Sequence, residues 1–78
     1  MNELVLKEMN AEHVICLYRP NGEGEPGEIE YSFKDNKAVI KAKSPGDDTG
    51  YFGRKAYSKV EEYVDKKSLP LRSIQAWY

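Results

Sequence analysis

The chain has 78 residues, of which 40% are hydrophobic and 32% are charged, and its formal net charge at pH 7 is −1. We expect residues 1–78 to form one small domain, which buries only roughly 60% of the surface that the unfolded chain exposes. A deep, enclosed active site is therefore hard to build. The composition is that of an ordinary globular protein and excludes a fibrous or disordered one.

The small net charge hides an asymmetry along the chain. Residues 1–30 hold seven acidic and two basic residues, whereas residues 31–78 hold ten basic and six acidic ones. Such a split either forms a basic patch or lets the two halves neutralise each other. We favour neutralisation, because acidic and basic residues face each other in the hairpin predicted below.

Targeting and redox signals favour a cytoplasmic protein. Cys16 is the only cysteine, so no intramolecular disulfide can form. The first residues lack the basic start and long apolar run of a signal peptide, and no stretch approaches the length that spans a bilayer. We therefore expect no membrane partner.

The first third of the chain predicts two strands, at residues 4–9 and 13–19. A turn at Asn10 and Ala11 would place four aliphatic side chains on one face, namely Leu4, Leu6, Ile15 and Leu17. A short helix also accommodates the first of these segments. The continuous apolar run at residues 14–18 is typical of an interior strand covered on both faces. Residues 20–27, rich in glycine and proline, predict a surface loop.

The middle of the chain predicts a hairpin that fixes its own register. Residues 28–34 and 37–43 read as strands joined by a two-residue turn at Asp35 and Asn36. The expected pairs are apolar on one face and charged on the other: Phe33 with Ala38, Tyr31 with Ile40, Ile29 with Ala42, Glu30 with Lys41 and Glu28 with Lys43.

An amphipathic helix is predicted over residues 51–67. Its apolar side contains Phe52, Gly53, Ala56, Tyr57, Val60, Tyr63 and Val64. We expect Phe52, Ala56, Val60 and Val64 to be buried against the sheet. Asp48 or Thr49 is the predicted N-cap, and Lys66 and Lys67 suit the negative end of the helix.

The chain closes with a further predicted strand at residues 72–78, after Leu69-Pro70-Leu71 ends the helix. Its direction stays open, because a helix crossover permits a parallel or an antiparallel return. The predicted fold class is α+β with element order β-β-β-β-α-β. A largely antiparallel sheet of four to five strands carries one amphipathic helix on one face.

Motifs that carry chemistry are few. Asp48-Thr49-Gly50 matches the short signature of aspartic proteases, but it precedes a helix instead of following an apolar strand, so we favour a capping role. His13 and Cys16 are three residues apart, which sends them to opposite faces of a strand. The sequence has no second cysteine or histidine to complete a metal site.

A phosphate-binding turn is the remaining catalytic or cofactor candidate. Gly50 to Gly53 followed by Arg54 and Lys55 could offer free amides and two cations to an anion. Asp47 and Asp48 would repel that anion, so we favour close packing of Gly53 against the sheet. We therefore expect no catalytic residue, no cofactor and no bound metal.

The sheet face that the helix leaves uncovered is the candidate interaction surface. Its residues combine bases with apolar and aromatic side chains: Tyr18, Lys37, Val39, Lys41, Lys43 and Trp77. An ordinary solvated sheet face is one interpretation. A protein interface, including a homodimer, is the second, and a single-stranded nucleic acid stacked on the aromatic rings is the third.

The function that these patterns favour is a non-enzymatic accessory or protein-interaction module that acts through its sheet face or edge. Single-stranded nucleic-acid binding is the alternative, and the acidic pI of about 5.8 counts against it. An enzyme would need a pocket that joins His13 or Cys16 to two further polar groups. The partner and the pathway stay open.

Overall fold

The computed structural model describes residues 2–65 and the backbone of residues 75–77. Its elements are β1 (Asn2–Met9), β2 (His13–Pro20), β3 (Gly27–Ser32), β4 (Lys37–Ala42), α1 (Tyr51–Asp65) and β5 (Gln75–Trp77). Strands β1 to β4 form an antiparallel meander, and α1 packs on one face of it. The predicted α+β fold is confirmed. The short β5 backbone lies antiparallel beside β1, which gives the order β4-β3-β2-β1-β5.

The first two strands share a different face from the one predicted. Residues 2–9 are a strand, so the helical alternative is wrong. Leu4 lies opposite Tyr18 and Leu6 opposite Cys16, whereas Leu17 lies opposite Val5 on the other face. A bulge between Leu6 and Glu8 shifts the register by one residue. Because side chains alternate with a period of two, that shift exchanges the faces.

The central hairpin has the predicted faces but not the predicted register. Tyr31 lies opposite Ala38, and Ile29 lies opposite Ile40, so pairing is displaced by two residues. The connection has four residues, 33–36, instead of two. Phe33 lies in this connection, and its amide donates to the Glu12 carbonyl at 3.1 Å. An even displacement keeps the side chains of these four paired residues on their expected face.

The charged side of this hairpin is only partly as predicted. Glu30 and Lys41 form an ion pair, with Oε1 and Nζ 3.7 Å apart. Glu28 pairs with Lys7 instead of Lys43, with Oε1 and Nζ 3.4 Å apart. The reason is a bulge in β4, where the ladder passes from Ile40 to Ala42 and leaves Lys41 as the extra residue.

The core lies between the sheet and α1. Its buried apolar residues are Leu4, Leu6, Val14, Cys16, Tyr18, Ile29, Tyr31, Ala38, Ala56 and Val60. Phe52 and Val64 pack against this core but are half-buried, in contrast to the predicted burial. Ile40 and Ala42, expected under the helix, are exposed. The outer part of β4 therefore lies beyond the cover of α1.

The start of α1 is capped by a residue other than those predicted. Asp47 Oδ1 accepts from the Phe52 amide at 3.1 Å, and Asp47 Oδ2 accepts from the Gly53 amide at 2.8 Å. Thr49 contributes a weaker contact, since its Oγ1 accepts from the Tyr51 amide at 3.3 Å. The chain turns through Gly50 with φ 77°, which brings residue 47 over the helix end. The predicted residues 66–71 lie outside the described residues.

Candidate functional site

The exposed apolar side chains of β4 mark the candidate site. β4 is an edge strand, and it leaves 44% of Val39 and 40% of Ile40 exposed. Neighbouring residues of a strand point to opposite faces, so both faces of this edge present an aliphatic side chain. Lys37 and Lys41 are exposed beside them, whereas Lys43, also exposed, donates to the Asp48 carbonyl at 3.2 Å.

Two residues predicted for this surface, Tyr18 and Trp77, are not seen on it. Tyr18 is fully buried on the helix side of the sheet, so its assignment to an exposed surface is wrong. The pairing of β2 with β3 explains the error, because Cys16 lies opposite the buried Ile29 and Tyr18, two residues further, faces the same side. The side chain of Trp77 lies outside the described residues. Ile40 is the residue that the sequence missed, because nothing in the pattern shows where the helix cover stops.

The uncovered face of the sheet is less basic than expected. Ile15 and Leu17 are half-buried at its centre, beside Val5. Glu28 and Glu30 lie on the same face and pair with Lys7 and Lys41. The bases on this face are thus interleaved with acids. A phosphate backbone would meet both signs of charge there.

His13 and Cys16 do not form a reactive pair. The two side chains lie on opposite faces of β2, as their spacing predicts. His13 Nε2 lies 2.5 Å from Glu8 Oε2, and its Nδ1 lies 3.5 Å from Glu30 Oε2. Burial raises the pKa of the Cys16 thiol to about 12, so the thiol is protonated at neutral pH.

The remaining motif candidates lie at the start of α1. The Phe52 and Gly53 amides, which a phosphate would need, already donate to the Asp47 carboxylate. A Cβ on Gly53 would lie 2.9 Å from Tyr18 Oη, so the predicted close packing of Gly53 is confirmed. In the part of the chain that the structure describes, no group of three or more His, Cys, Asp and Glu residues could hold a metal ion.

A buried polar cluster beneath this turn was not foreseen from the sequence. We call it the Tyr18 network, and it consists of Tyr18, Ser44 and Asp47. Tyr18 Oη donates to Asp47 Oδ2 at 3.2 Å and accepts from the Ser44 amide at 3.0 Å. Burial, followed by the nearby Asp47 carboxylate, raises the pKa of Tyr18, while the Ser44 hydrogen bond opposes this shift.

The Tyr18 network is satisfied internally and ties α1 to the sheet. Its members come from β2 and from the loop between β4 and α1, far apart along the chain, which is why the sequence pattern did not reveal it. Ser44 Oγ also donates to the Glu25 carbonyl at 2.7 Å, which anchors the loop of residues 21–26. The cluster is an element of structure rather than a binding site.

Among residues 2–65 and 75–77, no helix is both long and apolar enough to cross a membrane. Comparison of the chain with protein-family models, with curated proteins and with solved structures finds no match. The β4 strand, with its exposed aliphatic pair and its lysines, is therefore the feature from which function can be argued.

Proposed function

We propose that this chain is a non-enzymatic protein-interaction module that binds its partner through β4. The observation that supports this proposal is that Val39 and Ile40, neighbours on an edge strand, expose one aliphatic side chain on each of its faces. Aliphatic residues ringed by charged side chains are typical of protein interfaces. The expected location is the cytoplasm, as the single cysteine favours.

The nucleic-acid alternative ranks below a protein partner. Tyr18, one of the rings predicted to stack on a base, is buried in the core. Glu28 and Glu30 lie among the bases of the uncovered face. Both features oppose a single strand laid across the sheet, which needs exposed rings and a positive track.

Site-specific photo-crosslinking tests the proposal directly. A benzophenone amino acid is placed at Val39, and in the matched control at Ser58, which is exposed on α1. Exposure of both variants to an extract of the native cells should give a discrete protein adduct from position 39 and none from position 58. The adduct should persist at about 0.5 M salt, because apolar contacts are screened little.

Two outcomes would overturn the proposal. One is the absence of any protein adduct from position 39. The other is binding of single-stranded oligonucleotides that weakens steeply with salt and that Lys41→Glu abolishes. Unlabelled wild-type chain should compete for the adduct from position 39, whereas Val39→Asp should not compete and should keep its fold, as its amide spectra would show.

A further inference from the structure

We infer that β4 accepts an extended acidic segment of a partner protein as an additional strand of the sheet. This inference deepens the proposed function and rests on it, since it names how the partner binds and what chemistry it presents. Strand addition uses backbone hydrogen bonds for affinity and side-chain pockets for specificity. Both are found along β4.

The free side of β4 presents backbone groups that a further strand could pair. In an antiparallel pair, successive residues direct their amides alternately toward the partner strand and away from it. The Ala38 amide points away from β3, since it donates to Glu61 Oε2 of α1 at 3.3 Å. By the same alternation the amide and carbonyl of Ile40 point outward. Among residues 2–65 and 75–77, Glu61 therefore occupies one position of the edge and leaves the next for a partner.

A groove between β4 and α1 lies beside these groups. We call it the β4 groove; its volume is about 530 Å³, and it is lined by Lys37, Ala38, Val39, Ile40, Arg54 and Tyr57. The aliphatic side chains and the half-buried Tyr57 ring suit an apolar side chain of an added strand. Such a side chain would project from a residue opposite Ala38 or Ile40, on the helix side of the sheet.

The charges around the β4 groove select an acidic partner. Lys37 and Arg54 are exposed, and within the described residues neither makes an ion pair. Lys41 extends the positive stretch, although it is 3.7 Å from Glu30. Acidic residues opposite Lys37 and Lys41 would complete cross-strand pairs of opposite charge. The matching sequence is an acidic residue, three residues of β-forming character, and a second acidic residue.

A second copy of the chain fits this edge poorly. Two β4 strands that pair through their outward groups, centred on Val39, place Lys37 opposite Lys41. Centred on Ile40, they place Lys37 opposite Lys43. Like charges directly opposite each other destabilise a strand pair, and edge lysines are a common protection against self-association. The same lysines attract an acidic strand from a different protein.

Synthetic peptides test this inference with the folded chain. The first probe carries a Val-Thr-Val core between two glutamates, and the second carries the same core between two lysines. Amide spectra should show that the acidic peptide shifts Lys37 to Ala42 together with Arg54 and Tyr57, and slows hydrogen exchange at Ile40. The basic peptide should bind at least about tenfold more weakly.

Charge reversal supplies the matched control. The double variant Lys37→Glu and Lys41→Glu should lose the acidic peptide and bind the basic one, which a merely unfolded variant could not do. A third peptide, with proline in place of the valine that lies opposite Ile40 in an antiparallel pair, should bind more weakly, because it removes an amide that pairs with β4.

The outcomes separate this inference from the proposed function. An adduct from position 39 without any peptide-induced shift along β4 would overturn strand addition and leave the interaction module standing. Equal binding of both peptides, shifts confined to the uncovered face, or a rise in solution mass without peptide would likewise overturn it. Shifts of β4 by an oligonucleotide alone would overturn both.

Discussion

The Tyr18 network and the β4 strand, which lie at different parts of the sheet, differ in how completely their polar groups are hydrogen-bonded. At the Tyr18 network, a hydroxyl, a carboxylate and three backbone amides are hydrogen-bonded within the core. Along β4, aliphatic side chains are exposed, and outward backbone groups face a shallow groove. We therefore expect stability to be concentrated at the Tyr18 network and the proposed binding to involve β4. Substitutions should then separate the two properties.

The largest expected effect is at Gly27, which lies directly beneath the Tyr18 ring. A Cβ at this position would lie 2.1 Å from Tyr18 Cε1 and 2.7 Å from the Ser44 backbone nitrogen. Gly27→Ala should therefore cost about 3 kcal/mol or more of unfolding free energy, measured by denaturant titration. Gly46→Ala is the control, because nothing lies within 4 Å of its Cβ. Similar values for the two would disprove the tight packing at this end.

Removal of the helix cap should have the next largest effect. Asp47→Ala leaves the Phe52 and Gly53 amides and the Tyr18 hydroxyl without their acceptor. We expect a loss of about 2–3 kcal/mol in denaturant titrations. Asp48→Ala should change stability by less than about 0.5 kcal/mol, since its side chain is exposed. Equal losses would mean that the cap is wrongly assigned.

Asp47 and Asp48 also show how much of the structure can be predicted from the sequence. The α+β class, the element order and the buried side of α1 follow from periodicity and turn residues, which act locally. The cap was predicted at Asp48 or Thr49 because spacing alone cannot show that Gly50 adopts a positive φ and draws Asp47 over the helix. Single bulges in β1 and β4 likewise change registers without a clear sequence signal.

The candidate site was partly foreseen for the same reason. Val39 and its lysines could be identified from alternation within one strand. Tyr18 was misplaced because its face depends on the pairing of β2 with β3, which the pattern of one strand does not show. Ile40 was missed because its exposure depends on how far α1 extends across the sheet.

The pH dependence of stability gives a third test, of intermediate size, which concerns the buried core residue Cys16. Burial raises the pKa of Cys16 from 9.0 to about 12. A folded pKa above the unfolded one stabilises the protein below pH 9, and that contribution is lost as pH rises from about 9 toward 12. Cys16→Ala should therefore lose less stability than the wild type between about pH 8 and pH 10.5. Tyr18, whose pKa is also raised, adds to the loss of stability at alkaline pH.

Thiol labelling checks the same point independently. A disulfide reagent at pH 8 should leave native Cys16 unmodified and react once denaturant unfolds the chain. Parallel pH profiles for the wild type and Cys16→Ala, or rapid native labelling, would contradict the burial of this thiol.

The smallest expected loss of unfolding free energy is for a substitution in β4. Ile40→Ala should cost less than about 1 kcal/mol, because this side chain is 40% exposed. Its partner across the strand pair, Ile29, is fully buried and carries the same side chain. Ile29→Ala should cost about 2–5 kcal/mol in the same denaturant titration. Comparable losses would show that β4 belongs to the stable part of the molecule.

The meander described above also sets the order in which the chain folds. Each of the strands β1 to β4 pairs with the next one along the chain, so these contacts close short loops and can form early. The hydrogen bond between Tyr18 and Asp47 joins positions 29 residues apart, and Asp47 also caps α1. We expect this bond to form after the folding transition state. Tyr18→Phe should then speed unfolding and leave the folding rate nearly unchanged.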